Sequence, residues 1–233
     1  MFSPFYYFGW WDLIPIPGFL LALYAQIKLR SLYAKYRDVP QSQGMTGAQV
    51  AQAILNHAGI RHISIEPCEG ELTDHYDPKK HVLCLSEENF RTSSLSAIGV
   101  AAHEAGHAIQ HKEKYAPLEA RMAVVGMTGF ATNSGMILFM IGLFIRSGIL
   151  LQIGIWLYSA IVVFQLITLP VEIDASARAK KVLANLGFVN REEGEAIKKV
   201  LGAAALTYVA GLATAMLELL KMILLANRVR DRD

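Results

Sequence analysis

The stretch SAIGVAAHEAGHAIQHK, residues 96–112, decides how this chain is interpreted. It is rich in alanine, contains no proline, follows the capping residues Thr92–Ser94 and precedes a proline, so it predicts one helix. His103 and His107 are four residues apart, which places them one turn apart on one face of that helix. Both imidazoles can therefore bind one metal ion. Glu104 lies beside them, offset from the metal but close enough to reach a water molecule bound there.

This arrangement matches the H-E-x-x-H pattern, in which two histidine ligands, an open coordination position and a carboxylate base support metal-assisted hydrolysis. The pattern also arises by chance on helices that bind no metal. Small residues between Ala101 and Ala108 favour the metal interpretation, because they allow another element to pack closely on the helix. His111 lies about 12 Å along the helix axis from His103. It cannot share that ion, so we interpret it as a supporting or surface residue.

The composition points to a membrane protein. Hydrophobic residues make up 53% of the 233 residues and charged residues only 18%, which is too apolar for an ordinary soluble domain. The net charge is +2 and no basic patch is present, so nucleic acid is not an expected partner. Two cysteines, Cys68 and Cys84, are too few for a disulfide scaffold, and we interpret them as small buried thiols in strands.

Residues 1–30 predict an N-terminal membrane helix. Phe2–Trp11 is rich in aromatic residues, as is typical of a membrane interface. Leu13–Ile27 is short for a complete span, so the predicted span includes the aromatic stretch. Basic residues follow at once, and by the positive-inside rule they place this end in the cytoplasm and the N-terminus outside. They are Lys28, Arg30, Lys35 and Arg37.

Residues 31–121 predict a cytoplasmic α/β domain that contains the H-E-x-x-H helix. Thr46 is expected to cap a helix that ends at Gly59. Strands are expected at residues 62–66, 72–76 and 81–85, and the last two are joined by the turn sequence Asp77–Lys80.

Residues 122–171 predict a transmembrane helical hairpin. Met122–Ile145 and Ser147–Val171 carry no charged residue, and each is long enough to cross a bilayer. A hairpin returns the chain to its starting side, so residue 172 is expected to emerge beside the histidines. We expect a helix to start at Glu172, just after Pro170.

Glu172 is the predicted third metal ligand, because in H-E-x-x-H peptidases with a glutamate ligand that glutamate comes from a later helix. Asp174 is the competing candidate. The alternative explanation of Glu172 is an acidic residue favoured at a helix N-terminus. Residues 172–199 are thus predicted to complete the catalytic domain.

Residues 200–233 predict an apolar C-terminal helix, interrupted by Glu218 and Lys221. A complete span would place Arg228, Arg230 and Arg232 outside, against the positive-inside rule. We therefore expect this helix to lie partly in the membrane or on the catalytic domain, with a complete span as the alternative.

Several blocks of the sequence resemble a known family, the putative neutral zinc metallopeptidases of bacterial membranes. The blocks are residues 45–48, 72–78, 103–111, 169–176 and 204–210. The resemblance implies a zinc peptidase of the gluzincin type. The chain is more distantly similar to membrane proteases that cleave prenylated proteins and to the heat-shock membrane protease. Those proteins carry Asp four residues after the ligand Glu, where this chain has Ser176. Asp174 is therefore a candidate to support the ligand histidines instead.

Together these observations predict an integral-membrane, mainly α protein with a small α/β zincin-like catalytic domain. The predicted function is that of a zinc metalloendopeptidase in a bacterial cell membrane, multi-pass, with its site facing the cytoplasm. Zn²⁺ would be held by His103, His107 and Glu172, and Glu104 would act as general base. Substrates would be peptides or proteins, membrane proteins among them. The sequence does not specify an oligomeric state.

Two further roles are expected from the chemistry of peptide hydrolysis. An oxyanion donor is needed, and Tyr208 and His75 are candidates, although Tyr208 is equally explained as an interfacial or core tyrosine. The strand at residues 72–76 either binds an extended peptide by strand addition or is purely structural. The alternative function is a membrane scaffold or chaperone partner with a structural zinc site. A structural site needs a fourth protein ligand, and no cysteine lies near the motif to supply one.

Overall fold

The computed structural model describes residues 9–230, with Arg230 described by its backbone alone. Residues 2–8 of the predicted aromatic belt and Arg232 lie outside the described residues. The described chain is mainly helical and has one small mixed sheet. After a short 3₁₀ helix at Trp10–Leu13, the helices are α1 (Ile16–Arg37), α2 (Gly47–His57), α3 (Glu87–Arg91), α4 (Leu95–Lys112), α5 (Ala116–Ile145), α6 (Gly148–Asn185) and α7 (Arg191–Arg230). The strands are β1 (Ser64–Cys68), β2 (His75–Asp77) and β3 (Val82–Ser86).

The chain divides into two compact units. The first, here called the helical unit, comprises Met1–Ala25, Ala120–Thr168 and Thr207–Asp233. The second, here called the sheet unit, comprises Gln26–Glu119 and Leu169–Leu206. The sheet unit therefore contains α4 together with the C-terminal part of α6.

The sheet has the order β1-β3-β2, with β1 parallel to β3 and β2 antiparallel to it. The predicted β2–β3 turn is confirmed: Asp77 Oδ1 accepts hydrogen bonds from the backbone N–H groups of Lys79 and Lys80, at 2.9 and 3.1 Å. Strand β1 begins two residues later than predicted. It contains Pro67, which is tolerated because β1 is an edge strand and its outer side forms no hydrogen bonds to any other strand that the structure describes. Strand β2 is shorter than predicted, because Leu72 has a positive φ of 58° that ends extended structure there.

The core of the sheet unit forms where α2 packs against α4. Thr46 caps α2 as predicted, and its hydroxyl and backbone N–H form a reciprocal capping box with Gln49. Gly59 follows the helix with φ +66°, as the sequence predicted for a residue that ends a helix. The apolar face of α2, including the fully buried Ile54 and Leu55, joins Ile98 of α4 in this core. The packing fixes α4, the helix that carries the metal motif.

The helical unit contains most of α5 and the N-terminal part of α6, and two residues connect these helices. Gly135 and Gly154 let their backbones approach closely: a Cβ at Gly135 would lie 2.6 Å from the backbone nitrogen of Tyr158, and one at Gly154 would lie 2.8 Å from the carbonyl oxygen of Gly135. Such small-residue contacts are common between helices packed in lipid.

The described residues include four helices that are long and apolar enough to cross a membrane: Trp10–Arg37, Ala116–Ile145, Gly148–Asn185 and Arg191–Val229. The last of them, in α7, has the length and composition of a complete span, which the sequence favoured only as an alternative.

The prediction that a helix starts at Glu172 is wrong. Helix α6 runs without interruption from Gly148 to Asn185 and contains Pro170. Proline removes only its own N–H donor from the helix, and the loss of that one hydrogen bond does not end α6 here. Glu172 is therefore deep inside a long helix. The alternative explanation, an acidic residue placed to interact with a helix N-terminus, no longer applies.

Candidate metal centre

Three side chains from two helices of the sheet unit converge on one point. His103 and His107 come from α4 and Glu172 from α6, and one potential ligand atom of each lies within 4.8 Å of the others. Glu172 Oε2 is 3.2 Å from His103 Nε2 and 3.6 Å from His107 Nε2. The two imidazole rings meet nearly edge to face, with centroids 4.7 Å apart.

These distances fit a shared zinc ion. With bonds of about 2.0–2.1 Å in tetrahedral geometry, two ligand atoms lie roughly 3.3 Å apart. The measured separations lie on either side of that value. Two imidazole nitrogens and a carboxylate oxygen are also a donor set that zinc accepts. The residues present therefore match the metal that the sequence predicted.

Gly106 makes this convergence possible. A Cβ at Gly106 would lie 2.7 Å from the carbonyl oxygen of Ala175, so a larger residue would force α4 away from α6. Glu172 lies three residues before Ala175, on the same side of α6, and is carried towards the histidines by this close approach. The sequence prediction that small residues of α4 allow close packing is confirmed at this position.

The histidines are held through their second nitrogens. Ser176 Oγ lies 3.1 Å from His103 Nδ1. His107 Nδ1 lies 2.9 Å from Gln110 Oε1, and because an amide oxygen only accepts, Nδ1 is the donor. The Nε2 of His107 then keeps its lone pair and faces Glu172.

Gln110 is fully buried and connects the metal site to a polar network. Its Nε2 donates to the carbonyl oxygen of Val171 and to Asp174 Oδ2, both at 2.8 Å. Asp174 also accepts from Arg178 Nε at 2.5 Å. Asp174 thus acts on His107 through Gln110 and does not belong to the group of converging ligand atoms.

Sequence reasoning proposed Asp174 as a support but missed Gln110 and Ser176. Both could have been suspected from spacing. Gln110 lies three residues after His107, on the same helix face. Ser176 occupies the position, four residues after Glu172, where the more distant proteases carry an acid.

Glu104 is almost fully buried, directly after His103 in sequence and three residues before His107. Burial raises the pKa of its carboxyl above the ordinary value, and the neighbouring imidazoles of His103 and His107 oppose that rise. A carboxylate with a raised pKa is a better proton acceptor, which suits a general base.

The remaining predicted residues lie elsewhere. His75 lies beside Cys68 and Cys84. His111 Nδ1 is 2.8 Å from the hydroxyl of Tyr76, whose pKa burial raises to about 12, so the phenol keeps its proton at neutral pH. Tyr208 belongs to the segment of α7 within the helical unit, whereas the three converging ligands belong to the sheet unit.

Comparisons with known proteins also point to a zinc-dependent peptidase family. Residues 11–227 match the family described as "Putative neutral zinc metallopeptidase". The chain is 44% identical, over 213 residues, to the "Putative membrane protease YugP" of Bacillus subtilis (strain 168), covering 91% of this chain and 95% of that relative. No solved structure matches it. Since the family match extends over nearly the whole chain, the protein belongs to the family described as putative neutral zinc metallopeptidases.

Proposed function

We propose that this protein is a membrane-embedded zinc metalloendopeptidase. The observation that carries the proposal is the convergence of His103, His107 and Glu172, whose ligand atoms lie within 4.8 Å of one another beside the buried Glu104. We assign the three converging residues as zinc ligands and the sheet unit as a small zincin-like catalytic domain around the H-E-x-x-H helix.

The surface of the helical unit supports membrane embedding. Large apolar side chains on α5 and α6 are widely exposed, among them Phe144 at 80%, Phe130 at 78% and Trp156 at 71%. Soluble proteins rarely expose contiguous apolar surface of this kind. In a bilayer the same surface contacts lipid tails, and the lengths of the four apolar helices suit a span of about 30 Å.

Zinc, when bound, supplies a Lewis acid that polarises the substrate carbonyl and lowers the pKa of a water molecule. Glu104 accepts the proton of the attacking water and passes it to the leaving amine. Ser176 and Gln110 hold the two imidazoles in the orientation that presents Nε2.

Strand β2 offers a place for the peptide. It lies at one edge of the sheet, so one of its sides has no partner strand among the described residues. It also packs close to α4 and is joined to it by the hydrogen bond between Tyr76 and His111. We propose that an extended substrate adds to this edge along β2, which retains residues 75 and 76 of the predicted strand.

We further propose that the site faces the cytoplasm of a bacterial cell, with the protein in the cell membrane. The support is the cluster of basic residues that follows the first apolar segment, at Lys28, Arg30, Lys35 and Arg37. Membrane proteins or peptides near the bilayer surface are the expected substrates.

The test compares the parent with Glu104→Gln, both purified in detergent and incubated with a peptide library read by mass spectrometry. The parent should cleave peptides, while the variant should retain zinc by elemental analysis and lose nearly all hydrolysis. A protein that holds zinc but cleaves nothing in either form, although the library samples many sequences, would favour a scaffold with a structural metal. Equal cleavage by the two forms would reject Glu104 as the base.

A further inference from the structure

A second group of metal-binding side chains lies on the three-stranded sheet. Cys68 of β1, His75 of β2 and Cys84 of β3 each offer a ligand atom, and these atoms lie within 4.8 Å of one another. None of the three is among the proposed ligands of the catalytic zinc, although His75 belongs to the strand that we propose binds the peptide. The chain has no other cysteine, so both of its thiols are in this group.

The strand register explains why these residues meet. His75 lies directly opposite Cys84 in the antiparallel β2–β3 pair, and residues opposite each other point to the same face. Glu66 lies opposite Cys84 in the parallel β1–β3 pair, and Cys68 follows two residues later on the same face of β1. One face of the sheet therefore carries the two thiols and the imidazole across all three strands.

The imidazole is oriented as in a metal ligand. His75 Nδ1 lies 2.8 Å from the backbone carbonyl oxygen of Thr73. A carbonyl oxygen only accepts, so Nδ1 carries the proton and Nε2 has a free lone pair. Metal-binding histidines commonly make such a bond to a backbone carbonyl, which fixes their tautomer. The Thr73 hydroxyl lies 3.7 Å from Cys68 Sγ.

From this geometry we propose that Cys68, His75 and Cys84 form a second, exchangeable Zn²⁺ site. Two thiolates neutralise the charge of the ion, and sulfur with imidazole nitrogen is a donor set that selects zinc over magnesium or calcium. Three protein ligands leave one position for solvent, so the ion is expected to exchange more readily than in a four-ligand site. The proposal does not depend on catalysis at His103 and His107.

Binding would join the three strands at one point. Cys68 precedes the connection from β1 to β2, and His75 is the first residue of β2. A shared ion would therefore hold this connection and the edge strand β2 against β3.

Cobalt separates the two sites, because Co²⁺ bound by thiolate gives an intense near-ultraviolet charge-transfer band that histidine and carboxylate ligands do not produce. The full chain, purified in detergent, stripped of metal and kept reduced, would be titrated with Co²⁺. We expect the thiolate band to appear and saturate, with about two metal ions bound per chain when both sites are filled. Excess Zn²⁺ should abolish the band.

The variants identify the ligands. Cys68→Ser and Cys84→Ser should each lose most of the band yet still bind about one ion at the other site, which also shows that they are folded. His75→Ala should shift the band and weaken binding at least tenfold. Ser64→Ala, an exposed change on β1, and His103→Ala should keep the band. Absence of the band in the reduced parent, or two ions retained in both cysteine variants, would overturn the proposal.

Discussion

Gly106→Ala tests the close approach of helices α4 and α6. The new Cβ would lie 2.7 Å from the carbonyl oxygen of Ala175, whereas an ordinary contact begins at 3.4 Å. The obstacle is backbone and cannot rotate away. The helices must therefore separate locally by about 0.7 Å, which exceeds the roughly 0.2 Å tolerance of metal–ligand distances. Glu172, one turn from Ala175, would move away from the histidines.

The cost should fall mainly on metal binding. Without metal, α4 and α6 of the variant are free to relax apart. Zinc binding requires Glu172 to move back towards the histidines, which presses the new Cβ against α6 and costs about 1–3 kcal/mol of overpacking. Since 1.4 kcal/mol is tenfold in affinity, zinc binding should weaken by roughly 10- to 100-fold. Alanine also has a higher helix propensity than glycine by about 1 kcal/mol, so the protein without metal should not be grossly destabilised.

The assay is a zinc competition titration against a chromophoric chelator, in a chain whose two cysteines are replaced by serine so that one site is observed. Gly202→Ala is the matched control, because it lies in helix α7 of the sheet unit and its Cβ would meet nothing within 4 Å. It should bind zinc like the parent. If Gly106→Ala also binds zinc like the parent, the helices are not held together at this point and the reasoning fails.

Three further predictions concern the ligands and the topology. Glu172→Gln should weaken zinc binding severely, because an amide is a poor replacement for an anionic ligand. Asp174→Asn should lower the zinc affinity by at most about 10–100-fold. The opposite order in a zinc titration would make Asp174 the ligand. Gln110→Ala should weaken zinc binding by about 10–100-fold, because His107 loses the hydrogen bond that orients it. Gln52→Ala, a change at an exposed glutamine, should leave the zinc affinity unchanged. Equal affinities of the two variants would show that the bond between His107 and Gln110 is dispensable. A cysteine introduced at Ser147, in a chain without its native cysteines, should react with an impermeant thiol reagent added outside intact cells. If that cysteine is protected and one introduced in the β2–β3 turn is labelled, the protein has the opposite orientation in the membrane.

Features set by short-range sequence signals were predicted well. The helix that carries the histidines was expected at 96–112 and is found at Leu95–Lys112. The cap at Thr46 and the positive φ of Gly59 follow from chemistry within a few residues. The uncharged runs on either side of Arg146 correspond to two long helices, because length and composition alone identify them.

Features set by packing between helices or strands were not predicted from the sequence. Pro170 is a local stop signal, yet α6 continues through it and loses only the hydrogen bond of the missing N–H donor. Spacing could suggest Gln110 and Ser176 as candidates, but their contacts between α4 and α6 depend on how the two helices face each other. Cys68 and Cys84 were interpreted separately as buried thiols, since only the register of three strands brings them to His75.

We propose that zinc held by His103, His107 and Glu172 makes this protein a peptidase. The most direct measurement is the cleavage rate of the peptide library by chelated, full-length protein as zinc is returned, in the chain without its two cysteines. We expect no cleavage before zinc, recovery that saturates at about one ion per chain, and no recovery in His103→Ala at the same concentrations. Cleavage that persists after chelation, or full recovery in His103→Ala, would contradict the account.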